Sequence, residues 1–118
     1  MHKNTWVCLV VLVAAAACVE AATPPALQPF GFLLGEWVSD GADAGGGPSG
    51  KATFAPALQD TVMVRTSFAE YPAAGGRPAT RHDDLMVIFA TPGGAVEAEY
   101  WDNEGHEIRY VARSPRPG

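Results

Sequence analysis

The sequence predicts an all-β protein, an antiparallel up-and-down meander of about six short strands. Gly and Pro clusters, such as Gly45-Gly46-Gly47-Pro48 and Thr91-Pro92-Gly93-Gly94, cut the chain into short segments rich in β-branched and aromatic residues. Apolar residues at helical spacing are missing except around Phe30 to Leu34.

The chain of 118 residues has room for one domain. Its start reads as a targeting segment: Lys3, an apolar run from Trp6 to Cys18, then Val19-Glu20-Ala21 with small or apolar residues where a signal peptidase reads. Residues 1–21 are therefore expected to form a signal-peptide helix, cleaved near Ala21. The run of about 13 residues is too short to cross a bilayer, and no later segment resembles a span. The mature chain is expected to be exported, periplasmic or secreted. Ala15-Ala16-Ala17-Cys18 also resembles a lipobox, so a lipoprotein anchored at Cys18 is the alternative. Both cysteines, Cys8 and Cys18, lie in this leader, which leaves the mature chain without a disulfide or a thiolate ligand. The formal charge of −5 argues against nucleic acid and anionic membranes as partners.

Residues 22–29 read as a linker and 30–113 as the folded domain, with 114–118 a tail. Strands are expected at Leu34 to Ser39, Lys51 to Ala55, Thr61 to Tyr71, His82 to Ala90, Ala95 to Asp102 and His106 to Arg113. Register follows from the last two turns, because a slip of one residue turns a whole strand over. A three-residue loop, Asn103-Glu104-Gly105, with Gly105 at positive φ, sets Glu99 opposite Arg109 and Tyr100 opposite Ile108. A four-residue loop, Thr91 to Gly94, sets Phe89 opposite Val96, Val87 opposite Ala98 and Leu85 opposite Tyr100. One face then collects Leu85, Val87, Phe89, Val96, Ala98, Tyr100, Ile108 and Tyr110 as an interior. The other carries Glu97, Glu99, Arg109 and Arg113, together with Met86, Ile88 and Trp101.

Consecutive short connections close readily into a barrel. The longer Gly-rich loops share one rim, an open mouth, and the tight turns share the other. At the mouth these registers bring Asp83, Asp102 and His106 inward from adjacent strands about 4.8 Å apart. Carboxylates and an imidazole so placed suit acid–base chemistry or a polar anchor for a ligand; equally, Asp at a strand end caps turns. His82 and Asp84 fall on the opposite, wetter face. Two carboxylates and one histidine are too few to predict a metal site. No phosphate-binding loop or activated nucleophile is present in the pattern.

The run Phe32-Leu33-Leu34-Gly35-Glu36-Trp37 resembles the first strand of lipocalin-like barrels, whose Gly-x-Trp motif plugs the closed end. Together with Glu70-Tyr71-Pro72, His82 to Ile88 and Tyr100 to His106, it resembles an uncharacterised bacterial family of that superfamily, with nitrobindin-like haem barrels as more distant relatives. The resemblance implies that Trp37 is a structural plug. It also implies an incomplete, C-terminally truncated barrel, because relatives have eight or more strands; two open strand edges could then pair with a second copy. The haem-ligating histidine of nitrobindin-like proteins has no match, and no cofactor is predicted, haem being the alternative.

The leading expectation is a binding protein for a small apolar or amphipathic molecule, with Phe89, Tyr100 and Tyr110 lining the site and Asp83, Asp102 and His106 at its mouth. The alternatives are an enzyme using Asp83, Asp102 and His106 as acid–base groups, a haem-binding barrel, and an interaction module with no pocket.

Overall fold

The computed structural model describes residues 23–39 and 47–113. The expected signal peptide, the lipobox and the tail lie outside these residues. A 3₁₀ segment, Gln28–Leu33, is followed by six strands: β1 (Gly35–Val38), β2 (Ser49–Ala57), β3 (Val62–Tyr71), β4 (Thr80–Ala90), β5 (Val96–Asp102) and β6 (Glu107–Val111). They form one antiparallel sheet in sequence order. Every expected strand is present, with ends displaced by at most two residues. Among the described residues β1 and β6 do not pair, so the sheet is open. No helix among them is long and apolar enough to cross a membrane.

Local chemistry accounts for these elements. Pro24, Pro25 and Pro29 lack a backbone donor and hold φ near −65°, which favours tight turns over strand. The chain accordingly coils through Leu27 N–H to Pro24 O (2.9 Å) and Phe30 N–H to Leu27 O (2.9 Å) before β1. Pro56 sits in β2 beyond the four residues paired with β1, where β2 is bonded on one side only and a missing N–H costs least. The β2–β3 turn is tighter than its composition suggests: Leu58, Gln59 and Asp60 all adopt positive φ, 51°, 55° and 66°.

Register separates the two faces. Tyr100 pairs with Ile108 and Glu99 with Arg109, as the Gly105 turn requires. The β4–β5 pairing differs by one residue from expectation: Ile88 faces Ala98, Met86 faces Tyr100 and Asp84 faces Asp102. The cause is the turn. Thr91 and Ala95 close it (Thr91 N–H to Ala95 O, 2.8 Å), and Gly94 sits at φ +84° with its N–H on Thr91 O. This is a three-residue loop with a left-handed glycine, the same device as Asp102 to His106, where Gly105 has φ +89°. A loop of three residues instead of four shifts the pairing by one and turns β4 over. Leu85, Val87 and Phe89 therefore lie on the face with Glu97 and Glu99, while Met86 and Ile88 join Ala98, Tyr100, Ile108 and Tyr110.

The 3₁₀ segment covers one end of this second face. Leu27, Met63, Ile88 and Ala98 form the buried cluster, with Phe30, Leu33, Phe54, Met86, Ala90 and Val96 packed around it. Leu27, within the expected linker, is only 2 % exposed. Trp37 lies on the covered face, 48 % exposed, and its indole N–H donates to Leu33 O at 2.7 Å. That bond ties the end of the 3₁₀ segment to the edge strand. The apolar core thus sits at the end of the tight turns, and the long loops border the other end.

Candidate functional site

At the loop end the covered face changes from apolar to polar. β3 contributes Arg65 and Ser67, β4 His82 and Asp84, β5 Tyr100 and Asp102, and the β5–β6 turn Glu104 and His106. Arg65 Nη2 donates to Asp84 Oδ1 and Ser67 Oγ to Asp84 Oδ2, both at 2.5 Å. The Asp84 side chain is 9 % exposed, so its charge depends on these partners. The guanidinium of Arg65 also lies 5.9 Å from the Tyr100 ring centroid.

Asp102 joins the turn to the cluster. Its Oδ1 accepts from the backbone N–H groups of Glu104 (3.0 Å) and His106 (2.9 Å), the local bond that makes Asp a turn residue. Its Oδ2 meets His106 Nδ1 at 2.8 Å and accepts from Tyr100 Oη at 3.2 Å. Burial on its own would raise the pKa of Asp102. The bonds from His106, Glu104 and Tyr100 outweigh burial and hold the carboxyl down at about 2. His106 is raised, chiefly by its hydrogen bond to Asp102. Tyr100 is pushed up to about 12, first by burial and then by its bond to Asp102. His82 Nε2 lies 3.0 Å from Tyr100 Oη, and its Nδ1 lies 3.6 Å from Glu104 Oε1.

Of the residues expected at a site, Asp102, His106 and Tyr100 come together here. Tyr110 shares their face, nearer the turn end. Asp83 does not: it lies on the opposite face, bound to Arg81 at 3.0 and 3.1 Å, with its backbone N–H on Asn103 Oδ1. Phe89 lies on that opposite face too, between Val62 and Glu97. The β4 register explains both departures, and it brings in His82 and Asp84 in their place. The signal was present in the sequence: Thr91-Pro92-Gly93-Gly94-Ala95 matches Asp102-Asn103-Glu104-Gly105-His106 in glycine position. Read alike, the two turns give the observed pairing. Arg65 and Ser67 carried no comparable signal, because their neighbours are set by long-range pairing.

The opposite face holds ordinary surface ion pairs. Arg81 bridges Glu70 and Asp83 over the ring of Phe68, Arg109 bridges Glu97 and Glu99, and Lys51 meets Glu36. Solvent screens such pairs.

Two clefts adjoin the 3₁₀ segment. One, about 200 Å³, runs between Phe30 and Leu33 and the strand residues Met86, Ile88, Val96 and Tyr110. Met86 pairs with Tyr100, so this cleft leads to the polar cluster. The other, about 460 Å³, lies between Leu27, Gly31, Leu34, Pro56 and Met63, and its polar residues Thr23, Gln28 and Asp60 are solvent-exposed. No protein family, curated protein or solved structure matches the chain.

Proposed function

We propose that the protein is an exported binding protein that holds a small apolar or amphipathic molecule on the covered face of its sheet. The observation that carries this reading is the change of polarity along that face. Met86, Ile88 and Tyr110 line an apolar cleft, and Tyr100, Asp102, His82 and His106 follow immediately with donors and acceptors. Ile108 and Tyr110 are 40 % and 45 % exposed on this face. Covering such surface gains about 25 cal/mol per Å² of apolar area. A ligand with an apolar body and one polar end satisfies both halves, as small-molecule sites generally do. The resemblance to lipocalin-like barrels, which hold ligands on the inner face of a sheet, supports the same reading, and the leader supports export.

Native mass spectrometry of the chain, expressed with its own leader and recovered from the envelope fraction, tests both halves. The expected mass begins near Ala22 and includes a bound small molecule. A bare chain that also fails to enhance the fluorescence of anilinonaphthalene sulfonate overturns the ligand, and a full-length chain found only in the cytoplasm overturns export.

A further inference from the structure

We propose that His82, Asp102 and Glu104 form a binding site for a divalent transition-metal ion. The inference is separate from the apolar ligand, since the donors lie beyond the cleft and need no ligand in it. One nitrogen of His82, one carboxylate oxygen of Asp102 and one of Glu104 lie within 4.8 Å of one another. His106 Nδ1 is 2.8 Å from Asp102 Oδ2 and 3.8 Å from Glu104 Oε2, and His82 Nδ1 is 3.6 Å from Glu104 Oε1. Ligands around a tetrahedral ion with bonds of about 2.1 Å stand about 3.4 Å apart. The 3.6 Å between His82 and Glu104 is close to that value, and all three donors lie within 4.8 Å of one another.

The hydrogen bonds orient His82 for this role. Tyr100 has one hydroxyl proton, which it gives to Asp102 Oδ2. The contact between His82 and Tyr100 is then made by the Nε2–H of His82, and its Nδ1, 3.6 Å from Glu104 Oε1, is the nitrogen open to an ion. Tyr100 therefore occupies the place of the outer partner that fixes a ligating histidine. Asp102 is held by two backbone N–H groups through Oδ1, so Oδ2 is already aimed. Glu104 and His106 are each 61 % exposed at the side chain, which opens the cluster to ions from solvent. Imidazole and carboxylate without thiolate suit Zn²⁺ and its neighbours rather than Cu⁺.

The test is titration of the EDTA-stripped full chain with Zn²⁺ by calorimetry, and with Co²⁺ by visible absorption. One ion per chain is expected, with a Co²⁺ spectrum of low-symmetry nitrogen and oxygen coordination. His82→Ala and Glu104→Gln should each weaken binding at least about tenfold, and Tyr100→Phe by about tenfold through loss of the outer bond. Asp83→Asn, one residue from His82 but on the other face, should leave affinity unchanged. Because Glu104 is an exposed turn residue, Glu104→Gln reads the site without disturbing the fold. Absence of saturable uptake by the wild-type chain overturns the proposal. So does uptake of equal strength by the His82→Ala/Glu104→Gln double variant, which would place the ion elsewhere.

Discussion

Asp102 divides its two oxygens between jobs: Oδ1 closes the β5–β6 turn on the N–H groups of Glu104 and His106, and Oδ2 lies 2.8 Å from His106 Nδ1. The pair consequently couples the turn to solution pH. Asp102 is lowered to about 2, so its contribution is present above the unfolded value of about 3.9 and is lost as pH falls through that interval. His106 is raised, so its contribution is complete below its unfolded value of about 6.5 and is lost as pH rises through the folded value. With EDTA present, the melting-temperature loss in His106→Ala should be largest between about pH 4 and 6 and shrink toward both pH 2 and pH 9. A loss that stays constant from pH 5 to 9 contradicts the charged pair.

The β4–β5 turn can be tested by two adjacent glycines. Gly94 has φ +84°, and Gly93 does not share that conformation. An L-residue in the left-handed region costs about 1–2 kcal/mol. Urea denaturation should therefore show Gly94→Ala destabilising by about 1 kcal/mol and Gly93→Ala by much less. Equal effects would be inconsistent with the bulged turn.

The β2–β3 turn offers the converse substitution. Gln59 is exposed and held at φ 55°. Glycine adopts that conformation without strain, although it orders at a greater entropic cost. Gln59→Gly is expected to stabilise the protein by about 0.5–1 kcal/mol, read as a shift in the urea midpoint at unchanged slope.

Leu27 is 2 % exposed in a core of few buried side chains, and Phe32, also from the 3₁₀ region, is 71 % exposed. Truncating a buried Leu to Ala costs about 2–5 kcal/mol, so Leu27→Ala should lower stability by about 2–4 kcal/mol in chemical denaturation. Phe32→Ala should change it little. If Leu27→Ala were neutral, the 3₁₀ segment would not be part of the folded unit.

Arg65 and Asp84 form the least exposed ion pair among the described residues, with side chains 23 % and 9 % exposed, and Arg65 Nε is buried without a partner. Losing one member leaves the other charge poorly solvated. Arg65→Met should destabilise by about 2–4 kcal/mol, while the double variant Arg65→Met/Asp84→Leu should recover most of that. Failure of the second substitution to rescue the first would mean that Ser67 and solvent alone satisfy Asp84.

The sequence by itself determined the all-β meander, the order and number of strands and the pairing of β5 with β6. Those features are local: turn composition marks strand ends, and Gly105 at positive φ sets the register of the two strands beside it. It also brought Asp102, His106 and Tyr100 to one face, because their spacing lies within that hairpin. Only the tertiary structure decided which face β4 turns toward them. Side chains alternate with period two, so closing the turn at Thr91 and Ala95, with three loop residues instead of four, exchanged Asp83 and Phe89 for His82 and Asp84. The burial of Leu27, and the meeting of Arg65 with Asp84, were likewise decided by contacts between segments far apart in the chain. Composition alone carries no record of them.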